Sequence, residues 1–161
     1  METITFEPIG TNRSPHTRPE ETPIQPVYAK GIEGSAEIRP EFAEGLRDLE
    51  EFSHIMLLYH FHRAGSVRMT VTPFLDDQPR GLFATCAPNR PNGIGMSVVR
   101  LLAVEGSVLR LSDLDILDGT PLLDIKPLVP RFDLTDELRG GWHARIDEET
   151  ARKRGKRGWR G

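Results

Sequence analysis

The chain has 161 residues, 37% of them hydrophobic and 28% charged, which suits one globular domain rather than two. No apolar run approaches the roughly 18 residues of a membrane span, the N-terminus lacks the basic start and apolar stretch of a secretory leader, and the single cysteine, Cys86, excludes a disulfide framework and favours the cytoplasm. The net charge of −3 hides an asymmetry: residues 152–160 read Arg-Lys-Arg-Gly-Lys-Arg-Gly-Trp-Arg, leaving 15 of the 21 basic residues to face 24 acidic ones elsewhere. Such a tail neutralises phosphates and stacks an aromatic ring on a base, or it is a solvated appendage that binds nothing specific.

In chain order, Ile4–Ile9 reads as a strand, and residues 11–27 as a long polar loop of the kind that often carries function. Tyr28–Ile38 reads as a strand in which Gly31 and Gly34 mark bulges or close approaches. Pro40–Leu49 reads as a helix, with Pro40 at its first position and Phe42, Leu46 and Leu49 at helical spacing. Ser53–His62 is the strongest strand. Ile55, Leu57, Tyr59 and Phe61 share one face; His54, Met56, Leu58, His60 and His62 share the other. Further strands are expected over Ser66–Thr72, Gly81–Thr85, Gly95–Val104, Ser107–Ile116 and Leu122–Pro127, with a tight hairpin at Glu105-Gly106. The last twenty residues read as an appendage, helical from Ile146. Six or more short strands separated by turns predict a barrel or sandwich. The absence of a βαβ rhythm and of Gly-x-Gly-x-x-Gly argues against a Rossmann nucleotide site.

Four groupings could carry chemistry. In Ala84–Ser97, prolines fix the backbone around Arg90 while Gly93 and Gly95 permit tight turns, so Arg90 and Asn92 could hold a carboxylate or phosphate. A proline-stiffened connector explains the same residues. In Leu117–Pro127, Asp118-Gly119-Thr120-Pro121 forms a turn, and Asp124 and Lys126 point the same way on the following strand, as a surface ion pair or as substrate-positioning groups. His60 and His62 share a strand face, but His54 lies roughly 20 Å away along it, so no third ligand is at hand and no metal is expected. Cys86 reads as a small filler rather than a nucleophile.

Several of these segments together resemble the TrmO (YaeB, TsaA-like) family of S-adenosylmethionine-dependent tRNA methyltransferases. The resemblance runs through Pro8–Pro15, Pro23-Ile24-Gln25-Pro26, Leu49–Ile55, Phe61-His62, Gly81–Thr85, Arg90–Ser97 and Leu117–Pro127, covering about residues 4–133. It implies a mainly β protein: a small closed or nearly closed barrel over residues 1–138, one or two short helices, and a C-terminal extension over 139–161 that ends in the basic tail. It implies a homodimer with the cofactor near the subunit interface, and N6-methylation of a threonylcarbamoyl-modified adenosine beside the tRNA anticodon. By motif matching, the cofactor would touch Pro23, Ile24, Gln25, His62, Arg63, Met96, Asp118, Gly119, Thr120, Pro121 and position 86. Asn92 and Asp124 are the candidates for orienting the nucleophile, and Lys126 and Arg90 for phosphate or carboxylate contacts.

The chain departs from the family pattern at three positions. Cys86 stands where the family usually has arginine, Gly93 where it has a second proline, and His60 where it has an apolar or aromatic residue. Loss of the arginine leaves room for another RNA or a small molecule as substrate, or for a non-catalytic module that binds S-adenosylmethionine or RNA. The basic tail at 152–160 is the expected aid in gripping tRNA.

Overall fold

A computed structural model describes residues 1–156. Six antiparallel strands close into a barrel in the order β1-β2-β7-β6-β3-β8. They are β1 (Gly10–Arg13), β2 (Gly34–Ile38), β3 (His54–His60), β6 (Ile94–Glu105), β7 (Val108–Ser112) and β8 (Pro121–Pro127). A separate pair, β4 (Thr70–Val71) and β5 (Arg80–Gly81), lies in the long connection between β3 and β6. The alternation in β3 is realised: Ile55, Leu57 and Tyr59 point into the barrel, where they meet Val99, Leu101, Leu109, Leu111 and Leu122. Closure leaves no barrel strand with an unpaired edge. The hairpin at Glu105-Gly106 forms as expected, with Gly106 in the left-handed region (φ 63°) and Glu105 opposite Val108.

Three expectations about elements fail, each for a physical reason. Ile4–Ile9 is not a strand, and Phe6 is 66% exposed. The first strand begins at Gly10, where β2 passes so close that a Cβ would collide with the Glu37 carbonyl; backbone approach, not apolar alternation, selects it. Pro40–Leu49 is not an α-helix. It is a 3-10 helix over Pro40–Leu46 and a second 3-10 turn over Leu49–Glu51, separated by Asp48 at φ 67°. Leu46 and Leu49, three residues apart, are buried in the core cluster. Of Gly81–Thr85 only Gly81 is strand, as the end of Arg80–Gly81, because the chain turns at once into a 3-10 helix over Leu82–Ala84. Three other strands are shorter than expected: Tyr28–Ile38 pairs only over Gly34–Ile38, Ser66–Thr72 only over Thr70–Val71, and Ser107–Ile116 ends at Ser112 before Asp113 at φ 64°, whereas Gly95–Val104 and Leu122–Pro127 lie wholly within β6 and β8.

After α1 (Pro130–Asp133), a 3-10 turn over Gly141–Arg145 and α2 (Glu148–Arg154) return the chain to the barrel. Asp147 caps α2, its Oδ1 accepting from the Thr150 amide at 2.7 Å. Trp142 is buried and its indole N–H donates to the Ala84 carbonyl at 2.8 Å. Gly155 O accepts from the Ile24 amide at 2.8 Å, and Lys156 bridges Pro23. Residues 157–161 of the basic tail, Trp159 among them, lie outside the described residues.

Candidate active site

One cleft of about 640 Å³ opens beside the barrel, within the roughly 300–1,000 Å³ of small-molecule sites. Its walls come from four places: the early loop at Pro19–Thr22, the stretch from the end of β3 to Pro79, the Ala87–Asn89 loop, and the Asp115–Thr120 connection. Tyr59 and Phe61 line it side by side, their rings edge to face at 84° with centroids 5.4 Å apart. The Tyr59 hydroxyl shares a hydrogen bond with Ser97 Oγ at 2.9 Å inside the barrel. Beyond β3 the Phe61 amide still donates to the Gly93 carbonyl at 2.8 Å, and then the His62 amide turns back to the His60 carbonyl. That turn leaves His62 and Arg63 on the cleft wall.

The charged lining is mixed in sign. Glu20 and Asp115 supply carboxylates; Arg63 and Arg68 supply cations. Asp115 is 2% exposed, between the buried Leu114 and Ile116. His62 meets Thr120 through Nδ1 and Oγ1, 3.3 Å apart. The Thr120 hydroxyl hydrogen is directed to the Leu117 carbonyl at 2.6 Å, so its oxygen accepts from Nδ1–H and His62 Nε2 keeps its lone pair. Burial lowers the His62 pKa, and the charges of Arg63 and His60 lower it further. The fold therefore favours the neutral imidazole.

These groups suit S-adenosylmethionine. The aromatic rings would accommodate a purine, the arginines would receive the amino-acid carboxylate, and the Asp115 and Glu20 carboxylates would favour both the ammonium and the sulfonium. Among the described residues, no group of three His, Cys, Asp or Glu is placed to hold a metal ion, and no helix is long and apolar enough to cross a membrane.

Of the residues expected from the sequence, His62, Arg63 and Thr120 line the cleft. Asp118 and Gly119 sit in the turn that sets Thr120: Asp118 Oδ1 accepts from the Ser14 amide at 3.1 Å, Gly119 has φ 77°, and its amide reaches Asn12 O. Pro121 follows as the first residue of β8. Pro23, Ile24 and Gln25 follow the lining residue Thr22 in sequence and do not themselves line the cleft, Pro23 being buried. Cys86 is exposed and lies next to the cleft-lining Ala87. Met96 is 58% exposed on the outer face of the barrel. Arg90 folds onto its own loop, donating through Nη1 to Thr85 O at 2.8 Å and Ala87 O at 3.3 Å, with its guanidinium over the Phe83 ring. Asn92 is exposed just before Gly93. Asp124 and Lys126 share the outer face of β8, 3.2 Å apart, and Asp124 borders a second groove beside the Pro40–Leu46 segment.

Sequence reasoning passed over Glu20, Arg68, Phe74 and Asp115. The first three come together from loops distant in sequence. Asp115 did carry a signal, an acid inside the apolar run Leu114-Asp115-Ile116.

A closed antiparallel barrel with such a cleft defines a small β-barrel protein built to hold a nucleotide-like cofactor outside any Rossmann framework. Residues 11–134 match the tRNA-methyltransferase O N-terminal domain, and the chain belongs to that family. It is 56% identical over 139 residues to a probable S-adenosyl-L-methionine-binding protein of Pyrococcus abyssi, covering 86% of this chain and 76% of that one. It is 41% identical over 140 residues to the tRNA (adenine(37)-N6)-methyltransferase of Escherichia coli, covering 81% of this chain and 60% of that one. The crystal structure of TrmO from Pseudomonas aeruginosa superposes with a TM-score of 0.74 at 43% identity, over 88% of this chain and 63% of that one. The chain thus spans less than two-thirds of those last two proteins.

Proposed function

We propose that this chain is an S-adenosylmethionine-dependent methyltransferase acting on N6 of a tRNA adenosine beside the anticodon, the threonylcarbamoyl-modified nucleoside being its substrate. The observation that carries this reading is the cleft itself, in which His62, Arg63 and Thr120 from the family's motifs meet the buried Asp115. The cofactor supplies an electrophilic methyl group. The chain's residues align the acceptor with it and keep water out, the main requirement for an in-line displacement. The N6 nitrogen is a weak nucleophile until it loses its proton, and in this reading Nε2 of His62 accepts that proton. Arg63 and Arg68 face anionic parts of the two substrates. Exposed Arg152, Lys153 and Lys156 on and after α2 add positive charge near the cleft, where the chain bridges Pro23.

The outer face of β3, β6 and β8 carries Met56, Leu58, Ile94, Met96, Val98, Asp124 and Lys126. Met96, Asp124 and Lys126 do not line the cleft of their own chain. In a homodimer joined through this face they serve the partner's cleft, which reconciles their places with the roles the family motifs imply. A cytoplasmic location follows from a tRNA substrate. The test is transfer of a labelled methyl group from S-adenosylmethionine to tRNA carrying or lacking the threonylcarbamoyl group. Label on the modified tRNA alone supports the reading; label on neither rejects it. The exposed Cys86 favours a second reading, methylation of another RNA or a small molecule, for which bulk RNA and metabolite pools are the substrates to compare.

A further inference from the structure

The C-terminal segment bonds to residues that adjoin three of the four walls of the cleft. At the early loop, Gly155 O and Lys156 pair with Ile24 and Pro23, immediately after the lining residue Thr22. At the second wall, Arg154 Nη2 donates to Asp77 Oδ1 at 2.8 Å and to Asp76 O at 3.4 Å, between the lining residues Phe74 and Pro79. At the third, Trp142 Nε1 donates to Ala84 O, three residues before the lining Ala87. The second and third contacts are themselves joined. Asp76 holds Arg80 through Nε at 3.1 Å, and the Arg80 guanidinium lies 5.6 Å from the Trp142 ring centroid. The fourth wall, the Asp115–Thr120 connection, is held at both ends by the barrel strands β7 and β8 and needs no such support.

We propose that residues 142–156 form a brace that holds the three loop walls in the geometry that binds cofactor, with Gly155 as its positioning residue. This rests on the cleft being the cofactor site. Loops with few buried contacts open at little cost, and a site whose walls must be ordered on binding loses affinity by that amount. The brace orders them beforehand. Gly155 is the point at which it seats: a Cβ there would stand 2.6 Å from Cγ of Tyr28 and 2.9 Å from both Cδ atoms. Its φ of −70° and ψ of 3° suit any residue, so a side chain at 155 acts by collision with the ring and not by backbone strain. Burial raises the Tyr28 pKa, and the charge of Glu148 in α2 raises it further.

The experiment compares the full chain with Gly155→Leu, with Gly155→Leu/Tyr28→Ala, and with Asp77→Lys, whose side chain is 83% exposed and whose new charge repels Arg154. Hydrogen exchange without ligand reads the walls; calorimetry with S-adenosylhomocysteine reads the site. Gly155→Leu should speed exchange over 19–24 and 74–80 together, weaken binding about tenfold, and leave β3 and β6 protected. The double variant, with the ring removed, should recover most of both. Asp77→Lys should loosen 74–80. Faster exchange confined to 155–161, or unchanged affinity in Gly155→Leu and Asp77→Lys, overturns the brace. If the unaltered chain does not bind S-adenosylhomocysteine, the functional reading fails, and the exchange pattern alone then decides whether the brace exists.

Discussion

Gly95 lies directly against the ring of Tyr59: a Cβ on Gly95 would overlap Cε2 of Tyr59, stand 2.7 Å from its Cζ and 2.8 Å from Cζ of Phe61. The two residues face each other across β3 and β6. A missing side chain on one strand makes room for the aromatic pair on the other, and that pair lines the cleft. Gly95→Ala should therefore cost about 1–3 kcal/mol of stability by overpacking and weaken cofactor binding as the rings are displaced. Urea denaturation and calorimetry on the same preparation check both. An unperturbed variant would mean that the rings do not hold this packing.

His62 predicts a pH dependence. Its folded-state pKa lies below 6.5, because of burial first and the charges of Arg63 and His60 next. The folded chain thus favours neutral imidazole: its stabilising effect is present above the unfolded pKa and is lost as pH falls through 6.5 and below. A protonated His62 also repels a sulfonium cation. Affinity for S-adenosylmethionine should fall between about pH 7 and 5, and His62→Asn should flatten the curve. S-adenosylhomocysteine, whose sulfur is neutral, should show the weaker dependence of the two.

Arg90 donates to two carbonyls of its own loop and covers Phe83. Arg90→Ala should destabilise the chain by about 1–3 kcal/mol through the carbonyls it leaves unpaired. Arg90→Lys, which cannot reproduce the planar fork, should recover only part of that. Thermal denaturation of both variants tests this. Full stability with lost methyl transfer would instead make Arg90 a substrate contact.

The outer-face residues predict complementation. If the chain pairs through this face as proposed, it should scatter light as a dimer and Met96→Glu should reduce that mass. Asp124→Ala should lower methyl transfer while leaving cofactor affinity within about twofold, as expected of a group that touches only the acceptor. Mixing Asp124→Ala with His62→Asn should restore part of the activity, since one of the two clefts in a mixed dimer then keeps both residues. No restoration would mean that Asp124 does not serve the partner's cleft.

The sequence carried some of this and not the rest, for identifiable reasons. The faces of β3 were legible because a strand with one side in a barrel must alternate, and Ile55, Leu57 and Tyr59 do. Asp124 and Lys126 were correctly placed on one face, although a register shift separates the Leu58–Asp124 pair from Tyr59–Leu122. Ile4–Ile9 alternates as well and is not a strand, because alternation is necessary for a half-buried strand and not sufficient. The walls of the cleft come from loops whose proximity is set by the barrel's closure, so Glu20, Arg68 and Phe74 had no local signature. The docking of residues 142–156 depends on a tryptophan, an arginine and a glycine that composition alone reads as parts of a solvated tail.

The most direct test of the central claim is calorimetric titration of the full chain with S-adenosylmethionine, with Cys86→Arg measured beside it. The account predicts saturable micromolar binding by the unaltered chain, one cofactor per cleft. It predicts little change in Cys86→Arg, because Glu20, Arg63, Arg68 and Asp115 already line the site. Binding by neither chain, or by Cys86→Arg alone, would contradict it.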